Sequence, residues 1–221
     1  MKRFVFVVAV VAFINAGCFV STPPTPKPVK YLVYGDSLSE QSAPYLQALG
    51  TVGNRFFGGT APCNWVSNLN DDPAAFSPHD VLLQFIVNQP SCLNGRDPQT
   101  AYEQDLTTIA TFWKGRGVSV VMVISPKTPT DSLAWARQAE LNVANNLGLP
   151  VTDAGQAVIL NGLFTYFLGC LPQETTSQGC GSEMPAQIRV RDVNGVHFGT
   201  SNPDGTYSSG AYRFANAEAQ S

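Results

Sequence analysis

The chain has 221 residues, 13% of them charged, a formal net charge of −3, 19 glycines and 16 prolines. That length fits a leader plus one domain of about 190 residues, enough to bury a core of its own. No basic patch stands out, so nucleic acid is not an expected partner, and the composition points to a compact, loop-rich, extracytoplasmic protein rather than a disordered one.

The N-terminus reads as an export signal over residues 1–18. Lys2 and Arg3 precede an unbroken apolar run at 4–14, too short to span a bilayer comfortably, and Ala16 and Gly17 follow as small residues. The stretch Ile14-Asn15-Ala16-Gly17-Cys18 resembles a bacterial lipobox, with Asn15 where that motif usually has Leu. Cys18 is then either lipidated after cleavage or removed with the signal by ordinary signal peptidase. In both cases it is the odd one of five cysteines. Residues 19–30 include STPPTPKPVK, whose proline density favours a semi-rigid spacer suited to a membrane tether through Cys18. No other stretch approaches membrane-spanning length. Residues 31–221 are the expected folded domain, secreted or held in the cell envelope, and monomeric.

Within that domain short apolar runs alternate with longer amphipathic stretches. Residues 31–34 read as a buried strand and 39–49 as a helix. Residues 81–87 read as a second strand. Residues 100–114 read as a helix, with Leu106, Ile109, Ala110 and Trp113 on one face and a stop at Gly115. Residues 118–124 are the clearest strand, 131–147 a helix ended by Gly148, and 150–152 a short strand. This alternation argues for an α/β fold, a parallel sheet covered by helices on both faces. Residues 163–185 break the pattern and read as a long surface excursion closed by a Cys170–Cys180 disulfide. Residues 207–219 read as a terminal helix. Asp71 and Asp72 read as a solvated turn, since no further spaced acids follow to make a calcium site.

Open parallel sheets bind ligands beyond the carboxyl ends of their strands. Ser37, in Gly35-Asp36-Ser37-Leu38, follows the first strand directly, and Asn88 follows the 81–87 strand. Both therefore belong at one edge. A serine where a strand turns into a helix is placed for nucleophilic attack, with helix amides aimed at developing negative charge. Such a serine needs a base, usually histidine. Of the two histidines, His79 precedes its strand and lies at the opposite edge, which leaves His197. There is no Gly-x-Ser-x-Gly elbow, no phosphate-binding loop and no His/Cys metal cluster in the sequence.

Gly35-Asp36-Ser37-Leu38 resembles the signature of the GDSL/SGNH hydrolases, and three further blocks follow in that family's order. Gly58-Gly59-Thr60 is similar to the second block, whose glycine amide helps form the oxyanion hole. Gly58 is the better match there and Gly59 the reserve. Asn88 matches the third-block asparagine, whose side chain also serves the oxyanion. Asn194 to Phe198 resembles the last block, normally Asp-Gly-Val-His-Phe. The Gly59–Trp65 segment, Cys92 and the 207–214 tail look like secreted actinobacterial members. The resemblance covers roughly residues 30–219. It implies a flavodoxin-like three-layer α/β/α hydrolase of acyl esters, with Ser37 as nucleophile and His197 as base. The Ser37 and Gly58 amides and the Asn88 side chain would form the oxyanion hole, and no cofactor is implied. On these positions a Cys63–Cys92 disulfide would tie the two oxyanion loops together, each cysteine lying four or five residues past an oxyanion residue.

Two positions depart from the family's pattern. Ile86 and Val87 precede Asn88 where glycine is usual, and Asn194 stands where the family has the acid of its triad. Asp192, two residues earlier, or a backbone carbonyl are the alternatives for orienting His197. The substrate class is an acyl ester of a lipid or an acetylated glycan. Transfer to a cell-wall sugar, or a catalytically impaired carbohydrate- or wall-binding protein, are the competing functions.

Overall fold

A computed structural model describes residues 25–86, 88–130 and 134–220. The export signal, Cys18 and the first part of the spacer lie outside the described residues. In chain order the elements are β1 (Lys27–Gly35), α1 (Ser37–Gln47), β2 (Val52–Phe56), α2 (Cys63–Val66), α3 (Asp72–Ala75), β3 (Phe76–Gln84), α4 (Pro98–Lys114), β4 (Ser119–Val123), α5 (Ala134–Leu147) and β5 (Val151–Thr152). Two small ribbons follow, β6 (Ile159–Leu160) with β7 (Leu163–Phe164) and β8 (Phe167–Gly169) with β9 (Gln187–Arg189), and then α6 (Ser209–Glu218).

The first five strands form one parallel sheet in the order β2-β1-β3-β4-β5. Because both faces are covered, the central strands read as continuous apolar runs rather than alternating ones. Leu32, Tyr34, Val81, Leu83, Val120 and Met122 pack with Leu106, Ile109 and Trp113 of α4 and Val143 of α5. Their neighbours in sequence, Tyr31, Val33, Leu82, Val121 and Val123, face the other way onto Leu38 and Leu46 of α1 and Phe214 of α6. The result is a three-layer α/β/α fold with the flavodoxin-like strand order. Its switch point lies between β1 and β3, where such sheets open a crevice at their carboxyl ends.

Several boundaries differ from the sequence reading for physical reasons. β1 starts at Lys27, so the end of the stretch read as spacer is strand, with Lys27, Pro28 and Val29 in register with Phe76, Ser77 and Pro78. β2 has no counterpart in the sequence reading. It is an edge strand with only its second residue, Gly53, buried, and VGNRF carries too little apolar pattern to announce itself. α1 starts two residues earlier than the sequence reading, because the Asp36 side chain caps it by accepting from the Leu38 amide at 3.0 Å. Asp72 is not a solvated turn. It is fully buried and accepts from the Tyr34 hydroxyl and from Arg55 Nε, the latter at 2.7 Å. The excursion at 163–185 contributes β7 and β8 to the two ribbons and is closed by Cys170–Cys180, with Cα atoms 5.8 Å apart.

β3 stops at Gln84, short of the expected 87, because side chains take over its last donors. The Ile86 amide donates to Asp36 Oδ2 at 2.5 Å, and the Phe85 amide donates to Glu140 Oε1 at 3.4 Å. Burial pushes the Asp36 carboxyl up to about 7, against the pull of its N–H donors, and pushes Glu140 well above the carboxylate range. Burial also pushes Glu218 up to about 8. Groups whose folded pKa is raised keep their full stability contribution below the unfolded pKa, and lose it as pH rises through the folded one. The native state should therefore melt a few degrees higher at about pH 5.5 than at about pH 8. Glu140→Gln should flatten that slope. A melting temperature that rises with pH over this interval would mean these carboxyls are ionised in the native protein.

Candidate active site

The GDSL turn is built by close approach. A Cβ on Gly35 would fall 1.9 Å from Ser39 Oγ and 2.9 Å from the Gln84 carbonyl oxygen, so only glycine lets β1 hand over to α1 here. Ser37 is then the first residue of α1, half-buried at the carboxyl edge of the sheet. The Gly35 carbonyl accepts from Thr60 Oγ1 at 2.9 Å and from Trp65 Nε1 at 3.3 Å, which ties the Gly58–Trp65 segment to the same turn.

His197 reaches this edge on the loop between β9 and α6. Its Nε2 lies 2.9 Å from Ser37 Oγ. On the other side of the ring, Nδ1 lies 3.5 Å from Asp192 Oδ2, an ion-pair distance that is long for a hydrogen bond. The loop closes on itself. The Asp192 amide donates to the His197 carbonyl at 2.9 Å, and the His197 amide donates to Asp192 Oδ1 at 3.3 Å. Asn194 is exposed at the corner of a turn closed by the Gly195 amide on the Asp192 carbonyl at 3.1 Å. Gly195, at φ 72°, must be glycine, since a Cβ would fall 2.7 Å from the Phe164 ring and 2.3 Å from Pro129.

Gly58 borders the serine. A Cβ added there would lie 3.8 Å from Ser37 Cβ, whereas at Gly59 it would meet nothing within 4 Å. The Gly58 amide donates to Glu40 Oε2 at 2.9 Å. Asn88 Nδ2 donates to Asp36 Oδ2 at 3.2 Å, and its carbonyl accepts from Tyr102 Oη at 2.7 Å, so both ends of that residue are held. Val87 lies outside the described residues. Cys63–Cys92, with Cα atoms 5.9 Å apart, links α2 to the segment that follows Asn88. His79 lies within β3, one residue from the Tyr31–Asp80 register, at the far edge. It is exposed and paired with Asp80 at 2.8 Å.

Three residues that the sequence reading passed over hold the site together. Arg191 is fully buried. It donates to the Gly195 carbonyl from Nη2 at 2.7 Å and Nε at 3.2 Å, and to the Lys127 carbonyl at 3.2 Å, pinning the histidine loop to the segment after β4. Burial brings its guanidinium down to about 10. Gln41, one turn past Ser37, accepts from the Phe198 amide at 2.9 Å. Glu40 occupies the Gly58 amide. The only sequence signal for these was their adjacency to Asp192 and Ser37. Among the described residues, no three His, Cys, Asp or Glu side chains are grouped to hold a metal.

No family model matches the sequence, and no curated relative matches it. Solved structures share the fold. A lipase/acylhydrolase from Enterococcus faecalis superposes with a TM-score of 0.54 at 15% identity, over 88% of this chain and 94% of its own. A GDSL family protein from Desulfitobacterium hafniense gives 0.56 at 13%, over 86% and 98%. A GDSL-like lipase from Bacteroides thetaiotaomicron gives 0.51 at 11%, over 80% and 81%. The five-stranded parallel sheet and its flanking helices are the arrangement found in these SGNH-type hydrolases.

Proposed function

We propose that the chain is an exported serine esterase that hydrolyses acyl esters through Ser37, His197 and Asp192. The observation that carries this is the line from Ser37 Oγ to His197 Nε2 at 2.9 Å and from Nδ1 to Asp192 at 3.5 Å. In such a line the hydroxyl proton passes to Nε2 as Oγ attacks the ester carbonyl. The carboxylate holds the ring in the tautomer that leaves Nε2 free, and stabilises the imidazolium that forms. The imidazolium then protonates the departing alcohol, and a water deprotonated by the same nitrogen releases the acyl group. Side-chain exposures of 39% for His197 and 24% for Asp192 leave room for that water.

The oxyanion would be held by the amides of Ser37 and Gly58 and by the Asn88 amide group, with Gly58 rather than Gly59 next to the nucleophile. The binding-protein alternative drew its support from Asn194 and loses that support with Asp192 beside the imidazole. The residue 1–18 signal, the spacer and two disulfides all fit an extracytoplasmic enzyme, with Cys18 available as a lipid anchor.

The test is release of free acid from 4-nitrophenyl butyrate, triacetin and acetylated xylan by the purified chain, with Ser37→Ala as control. Hydrolysis of at least the activated ester, absent in the control, is expected. Equal rates in both proteins would remove the proposed function.

A further inference from the structure

One of the candidate oxyanion donors is already engaged. The Gly58 amide gives its hydrogen to Glu40 Oε2 at 2.9 Å. Glu40 sits three residues after Ser37 in the first turn of α1, and side chains three apart on a helix share a face and lean toward its N-terminus. The same small space is bounded by Ser37. A Cβ placed on Gly58 would lie 3.4 Å from Glu40 Oε2 and 3.8 Å from Ser37 Cβ. An acidic residue in a first turn is ordinarily explained by the helix dipole. That explanation does not require its carboxylate to reach across to a second loop. Here it does so at the amide that the proposed oxyanion hole would offer to the ester carbonyl oxygen.

A single amide hydrogen cannot serve the carboxylate and the substrate oxygen together. An ester entering the site must displace Glu40, and the displaced carboxylate stays at the mouth because its backbone is fixed in α1. Its charge then stands within a few ångströms of the carbon that Ser37 attacks, and so near the start of the acyl chain. A neutral acyl chain tolerates this. An acyl chain with its own carboxylate does not, because two like charges a few ångströms apart repel even where, as here, the Glu40 carboxylate is exposed and the repulsion is open to screening by salt.

Resting on the Ser37–His197 reading above, we infer that Glu40 is a specificity residue that selects uncharged acyl groups, acetyl and its longer neutral relatives, against anionic ones such as succinyl.

The test compares kcat/KM for 4-nitrophenyl butyrate and the mono-4-nitrophenyl ester of succinate, which match in chain length and differ in charge. The wild-type enzyme should favour butyrate by about tenfold or more. Glu40→Gln keeps the size and an oxygen for the Gly58 amide, and should shrink that preference several-fold, chiefly through a lower KM for the succinyl ester. Glu40→Lys should reverse it. Raising the salt concentration should weaken the wild-type preference and leave that of Glu40→Gln unchanged, which a purely structural role would not produce. An unchanged ratio across the three proteins, with Ser37 still modified by a fluorophosphonate, overturns charge selection alone. Failure of the fluorophosphonate to modify Ser37, together with no cleavage of either ester, overturns the esterase reading and this inference with it.

Discussion

Ser37→Ala and His197→Ala should each lower turnover on a simple acyl ester by about 10⁴-fold or more. Removing the hydroxyl removes the atom that carries the acyl group. Removing the imidazole leaves a neutral alcohol that ionises too weakly at neutral pH to attack. If the two, 2.9 Å apart, act as one unit as proposed, the double variant should be hardly slower than either single one. His79→Ala should leave turnover unchanged. That histidine is exposed at the far edge of the sheet beside Asp80 and has no path to the serine. Steady-state rates on 4-nitrophenyl butyrate measure all four variants, and retention of activity in either single variant would refute the assignment of that residue.

Asp192→Asn should cost about 10²–10⁴ in turnover, and Asn194→Asp should change little. The carboxylate of Asp192 is the group beside His197 Nδ1, and it also accepts from the His197 amide at 3.3 Å. An amide in its place can turn its NH₂ toward Nδ1, which then becomes an acceptor and moves the proton to Nε2, where it blocks proton uptake from Ser37. Asn194 faces solvent at a turn corner, so a carboxylate there gains no contact with the ring. The reverse pattern, with Asp192→Asn harmless and Asn194→Asp activating, would mean that the loop is shifted and that the acid belongs at 194. If neither substitution alters turnover, His197 works without a carboxylate.

The features most legible in the sequence were those set by short-range rules. The apolar runs at 31–34 and 118–124 and the glycine-ended helix at 100–114 have a single reading, because periodicity and capping act over a few residues. The pairing of Ser37 with His197 followed from which end of a strand each residue occupies. The less legible features depend on contacts distant in sequence. Nothing in Ile86 says that its amide will be taken by Asp36, fifty residues away, yet that contact helps end β3. Asp72 looks like part of a solvated turn, as its exposed neighbour Asp71 is, until Tyr34 and Arg55 arrive from other elements. Which of Asp192 and Asn194 lies beside the imidazole was open because a two-residue difference in loop register cannot be read from composition. With the turn at Gly195 and Arg191 drawing the Gly195 carbonyl inward, Asp192 Oδ2 lies 3.5 Å from His197 Nδ1 and Asn194 is exposed.

The central claim is that Ser37 is a nucleophile activated by His197, and covalent capture tests it most directly. The wild-type chain is incubated with diisopropyl fluorophosphate, its intact mass is measured, and the modified peptide is mapped. The expected result is one adduct per chain, located on Ser37, forming far more slowly in His197→Ala. An unmodified chain, or an adduct on any other residue, would contradict the account.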